Sequence, residues 1–153
     1  MWWYVCVGPS YPYANFFNVY QGAWTRIVLW EQYLCHSDGI LYWRTNLWQV
    51  GEKDSRRINL TRTNGFGDGN IIYDGMLWDE GFVPVPTSRL EAIRDGIEDF
   101  QYLSQLERAI GRDEALKFVA RLVTDVTHFQ QDYHLMERVR GELGFTLEEL
   151  AAN

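Results

Sequence analysis

The sequence has few of the residues that build metal centres, disulfide frameworks or membrane spans. It contains two cysteines and three histidines, and their scattered positions do not have the spacing of zinc ligands. A disulfide between Cys6 and Cys35 is compatible with this sequence but is not required by it. No stretch is apolar for long enough to cross a membrane. The sequence therefore predicts no metal site, no cofactor and no membrane segment.

Positive charge is also scarce. The chain carries 14 Lys and Arg residues against 21 Asp and Glu residues, so its net charge is −7 at pH 7. A nucleic-acid backbone binds a basic face, and this charge therefore argues against a nucleic-acid partner. The first third of the chain is almost uncharged, and its charged residues are Arg26, Glu31, Asp38 and Arg44. Such a segment is typical of buried elements or of an aromatic binding cleft.

Aromatic residues make up 16% of the chain, and six of the seven tryptophans lie in residues 1–50. The run at residues 39–48 is the most informative part, because its apolar start predicts a buried strand that ends near Trp43. Arg44, Asn46 and Trp48 follow directly. Flat aromatic faces beside hydrogen-bonding side chains suit a sugar ring, whose C–H face packs on an indole. The alternative is that Trp43 and Trp48 are core or lid residues.

The order of predicted elements indicates an α/β fold in one domain. Strands are predicted at residues 2–7, 40–43 and 70–74, with a helix at residues 23–35 between the first two. A long polar loop at residues 46–69 precedes the third strand. Alternation of this kind predicts parallel strands joined by right-handed crossovers. Sites in such folds form at the carboxyl ends of the strands.

The second half of the chain is predicted to be helical. Ser88 and Glu91 form a capping box that begins a helix with one apolar face, and Gly111 ends it. Further helices are predicted at residues 113–129 and 132–143. A second capping box, Thr146 with Glu149, is predicted in the tail.

Several motifs, taken in order, resemble the C-terminal part of the catalytic domain of glycoside hydrolase family 123, also known as a bacterial domain of unknown function. The resemblance covers about residues 2–106, and its last motif is long and specific. These motifs are Trp3-Tyr4 with Gly8-Pro9, then Tyr13-Ala14-Asn15, Arg26 with Trp30, residues 38–43, residues 67–73 and residues 88–103.

The resemblance implies the C-terminal portion of a (β/α)8 barrel, with about three parallel strands in this chain. Residues 1–110 would be a partial catalytic domain, and residues 111–153 a helical extension packed on it. The helix that begins at Ser88 would close the barrel. The upstream part of the barrel is expected to be a partner of this chain, since a strand that begins at the first residue suggests that sequence precedes it.

The resemblance also implies a β-N-acetylgalactosaminidase-like activity on N-acetylhexosamine-containing glycans. The acetamido oxygen of the sugar attacks the anomeric carbon, so the enzyme needs no nucleophile of its own. One carboxylate of an Asp-Glu pair orients the acetamido group, and the Glu protonates the leaving oxygen. That pair belongs to an earlier strand end, so no catalytic residue is expected here. Asp79-Glu80 is rejected as a match, because it lies in a loop after the last strand.

The predicted sugar contacts are the residues that end or bracket the second and third strands. Because side chains alternate along a strand, Tyr42 and Trp43 are not expected to point into the barrel together, and Trp43 is chosen as the sugar-facing residue. Asp68 could instead be a turn residue between two glycines. The predicted substrate-binding residues are Tyr42, Trp43, Asn46, Trp48, Asp68 and Tyr73.

Two other interpretations stay open. The chain could be a non-catalytic carbohydrate-binding or structural module, or a truncated gene product without independent function. The charged residues of the last motif, such as Arg89, Arg94 and Glu98, are interpreted as structural contacts of a helix. The sequence contains no pattern that indicates a cellular location.

Overall fold

The computed structural model describes residues 1–47, 67–75, 81 and 83–152 of this chain, which has a mixed α/β fold. The described residues contain four helices and six short strands. In chain order the elements are β1 (Trp2–Val5), α1 (Gly22–Leu34), β2 (Gly39–Tyr42), β3 (Ile72–Asp74), β4 (Pro84–Pro86), α2 (Ser88–Ile110), α3 (Arg112–Val119), β5 (Val123–Asp125), β6 (His128–Phe129) and α4 (Tyr133–Ala151).

The first two strands form a parallel pair joined through α1, as the sequence predicts. In their register Tyr4 lies beside Leu41, and Val5 lies beside Tyr42. Val5 is buried in the core, whereas Tyr4 and Leu41 are exposed. The prediction that the strand ending near Trp43 is buried is therefore wrong on one face: in β1 and β2 only the face that meets the helices is covered.

The third strand does not continue this parallel sheet within the described residues. β3 pairs antiparallel with β4, a strand that lies inside a predicted loop. Next to β3, Asn70 forms an isolated antiparallel bridge with Asn46. The backbone N–H groups of Ile71 and Ile72 also donate to the carbonyl of Thr45. Parallel pairing is thus observed for two of the three predicted strands, and the barrel stays a prediction.

Helix α1 is buried on all sides, which explains its low content of charge. Its core residues include Ile27, Val28 and Trp30. Arg26 and Glu31, which the sequence places outside the apolar face, are buried as well. A helix of this kind needs an internal partner for each charged side chain, because an unpaired buried charge is costly.

The N-cap of helix α2 lies one residue before the position that the sequence predicts. Thr87, not Ser88, is the N-cap, and its side chain accepts a hydrogen bond from the N–H of Leu90. The helix ends at Ile110, and Gly111 follows it as the predicted stop, with a φ of 95° that favours glycine. α2 packs along α1 and also contacts α3 and α4.

The C-terminal part differs most from the sequence-based prediction. Residues predicted as one helix at 113–129 form α3 followed by the antiparallel hairpin β5–β6. α4 continues through the predicted second capping box, so the hydroxyl of Thr146 donates to the carbonyl of Glu142 inside the helix. Leu122, Met136 and Leu143 belong to the same core as Ile27, so one continuous core joins both halves of the chain.

Cys6 and Cys35 are both free, so the two do not form a disulfide. No group of three or more His, Cys, Asp or Glu side chains in the described ranges is placed to hold a metal ion. No helix that the structure describes is long and apolar enough to span a membrane.

Candidate functional site

The candidate site lies where β2 ends and is centred on Asp68, whose side chain is almost fully buried. Tyr42, the last residue of β2, donates its hydroxyl hydrogen to one carboxylate oxygen of Asp68 over 2.8 Å. The same hydroxyl accepts the backbone N–H of Gly69 over 2.6 Å. The Tyr42 ring packs edge-on against Phe16, with 5.2 Å between ring centroids. Tyr42 therefore links the core to the loop that carries Asp68.

Trp43 reaches the same carboxylate from the other side. Its indole nitrogen Nε1 donates to the second oxygen of Asp68 over 2.9 Å, while 37% of the residue remains exposed. Strand alternation predicts that Tyr42 and Trp43 diverge, yet their polar tips converge on Asp68. This is possible because β2 ends at Tyr42, so Trp43 already lies in a bend outside the strand. One buried carboxylate thus fixes the orientation of a partly exposed indole ring.

The turn that carries Asp68 depends on its two glycines. Gly67 and Gly69 have φ angles of 76° and 78°, in the left-handed region that side chains disfavour. A Cβ atom on Gly69 would lie 2.8 Å from Cζ2 of the Trp43 ring. The missing side chain therefore lets the indole lie directly against the backbone of the turn.

Arg89, in the first turn of α2, holds the loops of the site together. Its buried guanidinium donates to the carbonyls of Phe16 and Gly67 over 2.7 Å and 2.9 Å, and also to the carbonyl of Asn70. Asn15 has a similar role in the loop after β1, where its amide donates to two backbone carbonyls. The structural interpretation of Arg89 is confirmed, and the Asp68 turn is anchored to the helix.

Burial has the largest effect on the Tyr42 hydroxyl and raises its pKa. The N–H of Gly69 lowers this pKa, the Asp68 carboxylate raises it, and Arg89 lowers it slightly, so that the net shift is upward. Tyr42 therefore stays protonated at physiological pH and remains a hydrogen-bond donor to Asp68. Both oxygens of Asp68 accept a hydrogen bond, one from the Tyr42 hydroxyl and one from the Trp43 indole, so the carboxylate holds both side chains in position.

The remaining predicted site residues are placed around this cluster in different ways. Asn46 is exposed and bridges to Asn70 through its backbone, close in sequence to Trp43. Tyr73 is half-buried in β3 and pairs with Val85 of β4. Trp48 and the rejected pair Asp79-Glu80 lie outside the described residues. The structure thus brings Tyr42, Trp43 and Asp68 into direct contact.

Comparison with known protein families shows the family to which the chain belongs. Residues 1–106 match the family Glycoside hydrolase 123, catalytic domain. This chain belongs to glycoside hydrolase family 123. A search of the curated proteins gives no match. Membership of this glycoside hydrolase family supports a glycoside hydrolase-like function with a carbohydrate as substrate.

The family 123 match includes the whole Asp68 cluster and most of α2, and it ends before α3. Two residues of this region were not among the predicted site residues, although they determine its geometry. The importance of Gly69 could be recognised from the sequence, because glycines flank Asp68 on both sides, as in a tight turn. Arg89 leaves a signal in its position next to the cap of a strongly periodic helix, but its three carbonyl partners are not readable from the sequence.

Proposed function

We propose that this chain supplies part of the sugar-binding site of a catalytic domain that hydrolyses N-acetylhexosamine-containing glycans by a substrate-assisted mechanism. In that mechanism the acetamido oxygen of the sugar forms a bond to the anomeric carbon while the glycosidic bond breaks. The leaving oxygen takes a proton from a carboxylic acid, and water later opens the cyclic intermediate. The chain's own part is to bind and orient the sugar.

The observation that carries this proposal is the indole of Trp43, fixed by Asp68 at the end of a parallel strand. A partly exposed aromatic ring with a locked orientation offers a flat apolar face at low entropic cost. Asn46 adds an exposed amide close to it in the chain. Together with the family, these residues favour binding of a sugar ring over binding of an extended apolar ligand. We keep Tyr42, Trp43, Asn46, Trp48, Asp68 and Tyr73 as the proposed contacts.

The exposed face of β1 and β2 supports a larger barrel around this chain. Trp2, Tyr4 and Leu41 are large apolar residues that face solvent, whereas Val5, on the opposite face, is buried. In the described residues no further strand pairs with either edge of β1–β2. Packed layers of side chains fill a (β/α)8 barrel. We infer that residues 1–110 form part of such a barrel, with its upstream part as partner and residues 111–153 as the extension.

The proton donor is proposed to lie outside these 153 residues. The sequence contains two Asp-Glu dipeptides, Asp79-Glu80 and Asp113-Glu114. The second is in the first turn of α3, where carboxylates stabilise the helix dipole. Without a donor, hydrolysis loses about 10²–10⁴-fold in rate. The chain alone is therefore expected to bind sugar without turning it over.

The test measures sugar binding by the full chain. Its indole nitrogens are labelled with ¹⁵N, and the Trp43 signal, assigned with Trp43→Phe, is followed during a titration with N-acetylgalactosamine. We expect a saturable shift of this signal. Isothermal titration calorimetry of Trp43→Ala should show a loss of about tenfold in affinity, the scale of one aromatic contact. Phe145→Ala, which removes an exposed ring on α4, is the matched control. An unshifted Trp43 signal would contradict the proposed site.

A second assay addresses catalysis. An aryl β-N-acetylgalactosaminide should not be turned over by the chain. Turnover that Glu80→Gln abolishes would show that Asp79-Glu80 is the catalytic pair. Binding without turnover is also expected of a non-catalytic module, and the DNA upstream of the Met1 codon separates the two. An in-frame extension with an Asp-Glu pair at a strand end supports the enzyme.

A further inference from the structure

A pocket lies between the loop after β1 and the C-terminal hairpin, outside the Asp68 cluster. Its volume is about 340 Å³, within the range of small-ligand sites. Tyr11 and Trp24 form one wall, and the hairpin β5–β6 with its flanking residues forms the other. The hairpin side lies beyond residue 106, where the family match ends. This pocket therefore combines a loop of the family domain with an element outside it.

The aromatic wall is held in place before any ligand binds. The backbone N–H of Tyr11 donates to the hydroxyl of Tyr20 over 2.7 Å. The Tyr11 ring stacks on Trp24 with 6.1 Å between centroids and an interplanar angle of 26°, yet 74% of Tyr11 is exposed. Phe129 of the hairpin meets Trp24 edge-on at 5.0 Å. These contacts orient the Tyr11 ring, and its outer face is exposed at the pocket.

The indole nitrogen of Trp24 is the second observation that indicates a ligand. Trp24 is 6% exposed, and its Nε1–H is buried without a hydrogen-bond partner in the part of the chain that the structure describes. An unmade hydrogen bond of a buried donor costs about 1–3 kcal/mol, so such donors are rare in native proteins. Trp24 lines the pocket, so a ligand bound there would lie against the indole that carries this unpaired N–H.

The opposite wall selects the chemistry of that acceptor. Its polar side chains are mostly neutral, and they include Thr124, Thr127 and Gln130. Arg121 is paired with Glu142, and His128 is bound to Asp125, so the two basic groups already have anionic partners. Neutral donors and acceptors beside an exposed aromatic ring suit a hydroxyl-rich, uncharged ligand better than an anion.

We propose that this pocket binds a neutral sugar residue of the glycan, apart from the one at Trp43. The proposal rests on the proposed function, because a glycan is the ligand that the family domain supplies. The position agrees with it: the loop with Tyr11 follows β1, and Trp43 follows β2. In a parallel pair both loops leave from the same edge of the sheet.

The experiment uses the same ¹⁵N-indole signals of the full chain, with methyl β-D-galactopyranoside as a neutral probe that lacks an acetamido group. The Trp24 signal is assigned with Trp24→Phe. We expect this signal to shift saturably at sugar concentrations on the order of 10 mM. Tyr11→Ala should weaken the response about tenfold. Tyr13→Ala is the matched control, because Tyr13 is a half-exposed tyrosine of the same loop that does not line the pocket.

The outcomes separate the two proposals. A saturable Trp24 shift that Tyr11→Ala weakens and Tyr13→Ala leaves unchanged supports the pocket, even if Trp43 does not respond to N-acetylgalactosamine. A Trp43 response with an unmoved Trp24 signal overturns the pocket and leaves the proposed function in place. Equal losses in Tyr11→Ala and Tyr13→Ala also overturn it, because the effect would then belong to the loop as a whole.

Discussion

Two carboxylates of this chain, Asp99 and Asp68, are equally buried but have different partners. Asp99 of α2 accepts hydrogen bonds from Arg26 over 2.5 Å and 2.9 Å and from the indole nitrogen of Trp30 over 2.8 Å. Arg140 of α4 adds a third cationic contact at 3.1 Å. Asp68 accepts from two neutral donors, a tyrosine and a tryptophan. One carboxylate joins three helices, and the other orients an aromatic ring at the surface.

The difference indicates which of the two regions serves the fold. Burial raises the pKa of Asp99, while the guanidiniums of Arg26 and Arg140 favour its charged form. Burial lowers the pKa of Arg26, but Asp99 and Glu137 outweigh that effect and raise it. Each charge in this group has an internal partner, as a structural ion-pair network requires. At Asp68 the partners are side chains that also reach solvent, which is typical of a binding site.

The largest effect is expected from Asp99→Ala. The substitution leaves Arg26 buried without its main partner, and breaking a buried pair in this way costs about 3–5 kcal/mol. Urea unfolding, followed by far-UV circular dichroism, measures the free energy of unfolding. Asp95→Ala is the control, because Asp95 pairs with the exposed Arg94 on the surface of the same helix. Equal stability losses in both variants would contradict a special role of Asp99 as the partner of the buried Arg26.

Local periodicity explains which parts of this fold the sequence predicts. The parallel β1–β2 pair and helix α2 agree with their predictions, because each consists of consecutive residues with a regular apolar pattern. The hairpin β5–β6 is missed because Leu122, Val123 and Val126 also fit a helical pattern. There the side chain of Asp125 accepts the N–H and the hydroxyl of Thr127, which favours a turn over a helix.

The Asp68 cluster shows why a site is harder to predict than a helix. Tyr42 and Trp43 end a predictable strand, but Asp68 is 26 and 25 residues further along the chain. The position of Asp68 depends on Gly67 and Gly69, whose φ angles are positive. It also depends on Arg89 of α2, which donates to the carbonyl of Gly67. These contacts are set by tertiary packing and have no local periodicity. The roles of the six predicted sugar contacts remain predictions.

A third buried carboxylate, Glu31, extends the comparison, because no cation or hydrogen-bond donor among the described residues meets its Oε1 atom. Burial raises the pKa of Glu31 to about 8, and the charge of Asp125 adds to this rise. The folded protein therefore binds a proton at Glu31 that the unfolded chain releases near its ordinary pKa of 4.5. Stability should fall as the pH rises from about 4.5 to about 8.

Glu31→Gln is expected to remove this pH dependence. The variant should match the parent protein near pH 4.5 and be more stable near pH 8, by about 2–4 kcal/mol. Urea unfolding at a series of pH values measures the difference between the two proteins. Glu114→Gln, at an exposed glutamate that pairs with Lys117, is the control. A difference that does not change with pH would show that Glu31 is ionised in the fold.

Gly69→Ala tests the Asp68 side of the comparison. The alanine would be strained at a φ of 78°, and its Cβ would lie 2.8 Å from the Trp43 ring. Gly81→Ala is the matched control, since Gly81 has a φ of 73° and no atom of the described residues lies within 4 Å of its Cβ position. Strain alone costs about 1 kcal/mol, so we expect about 2 kcal/mol for Gly69→Ala and about half of that for Gly81→Ala.

The same pair of variants separates binding from stability. Only Gly69→Ala should shift the ¹⁵N-indole signal of Trp43 and weaken its response to N-acetylgalactosamine. If both variants lose stability equally and leave this signal unchanged, the indole does not depend on the close approach to Gly69.

The smallest effect is expected at the start of α2, the helix that joins the two regions. Thr87 caps this helix, and its hydroxyl donates to the carbonyl of Ile71 over 2.6 Å, just beyond the Asp68 turn. Thr87→Ala should cost about 1–2 kcal/mol, because it removes the cap and leaves that carbonyl without this donor. Ser88→Ala, at the N-cap position that the sequence predicts, should change the free energy of unfolding by less than about 0.5 kcal/mol. If Ser88→Ala lost more free energy of unfolding than Thr87→Ala, Ser88 would be the N-cap. Thr87 would then not be the residue that connects α2 to the site.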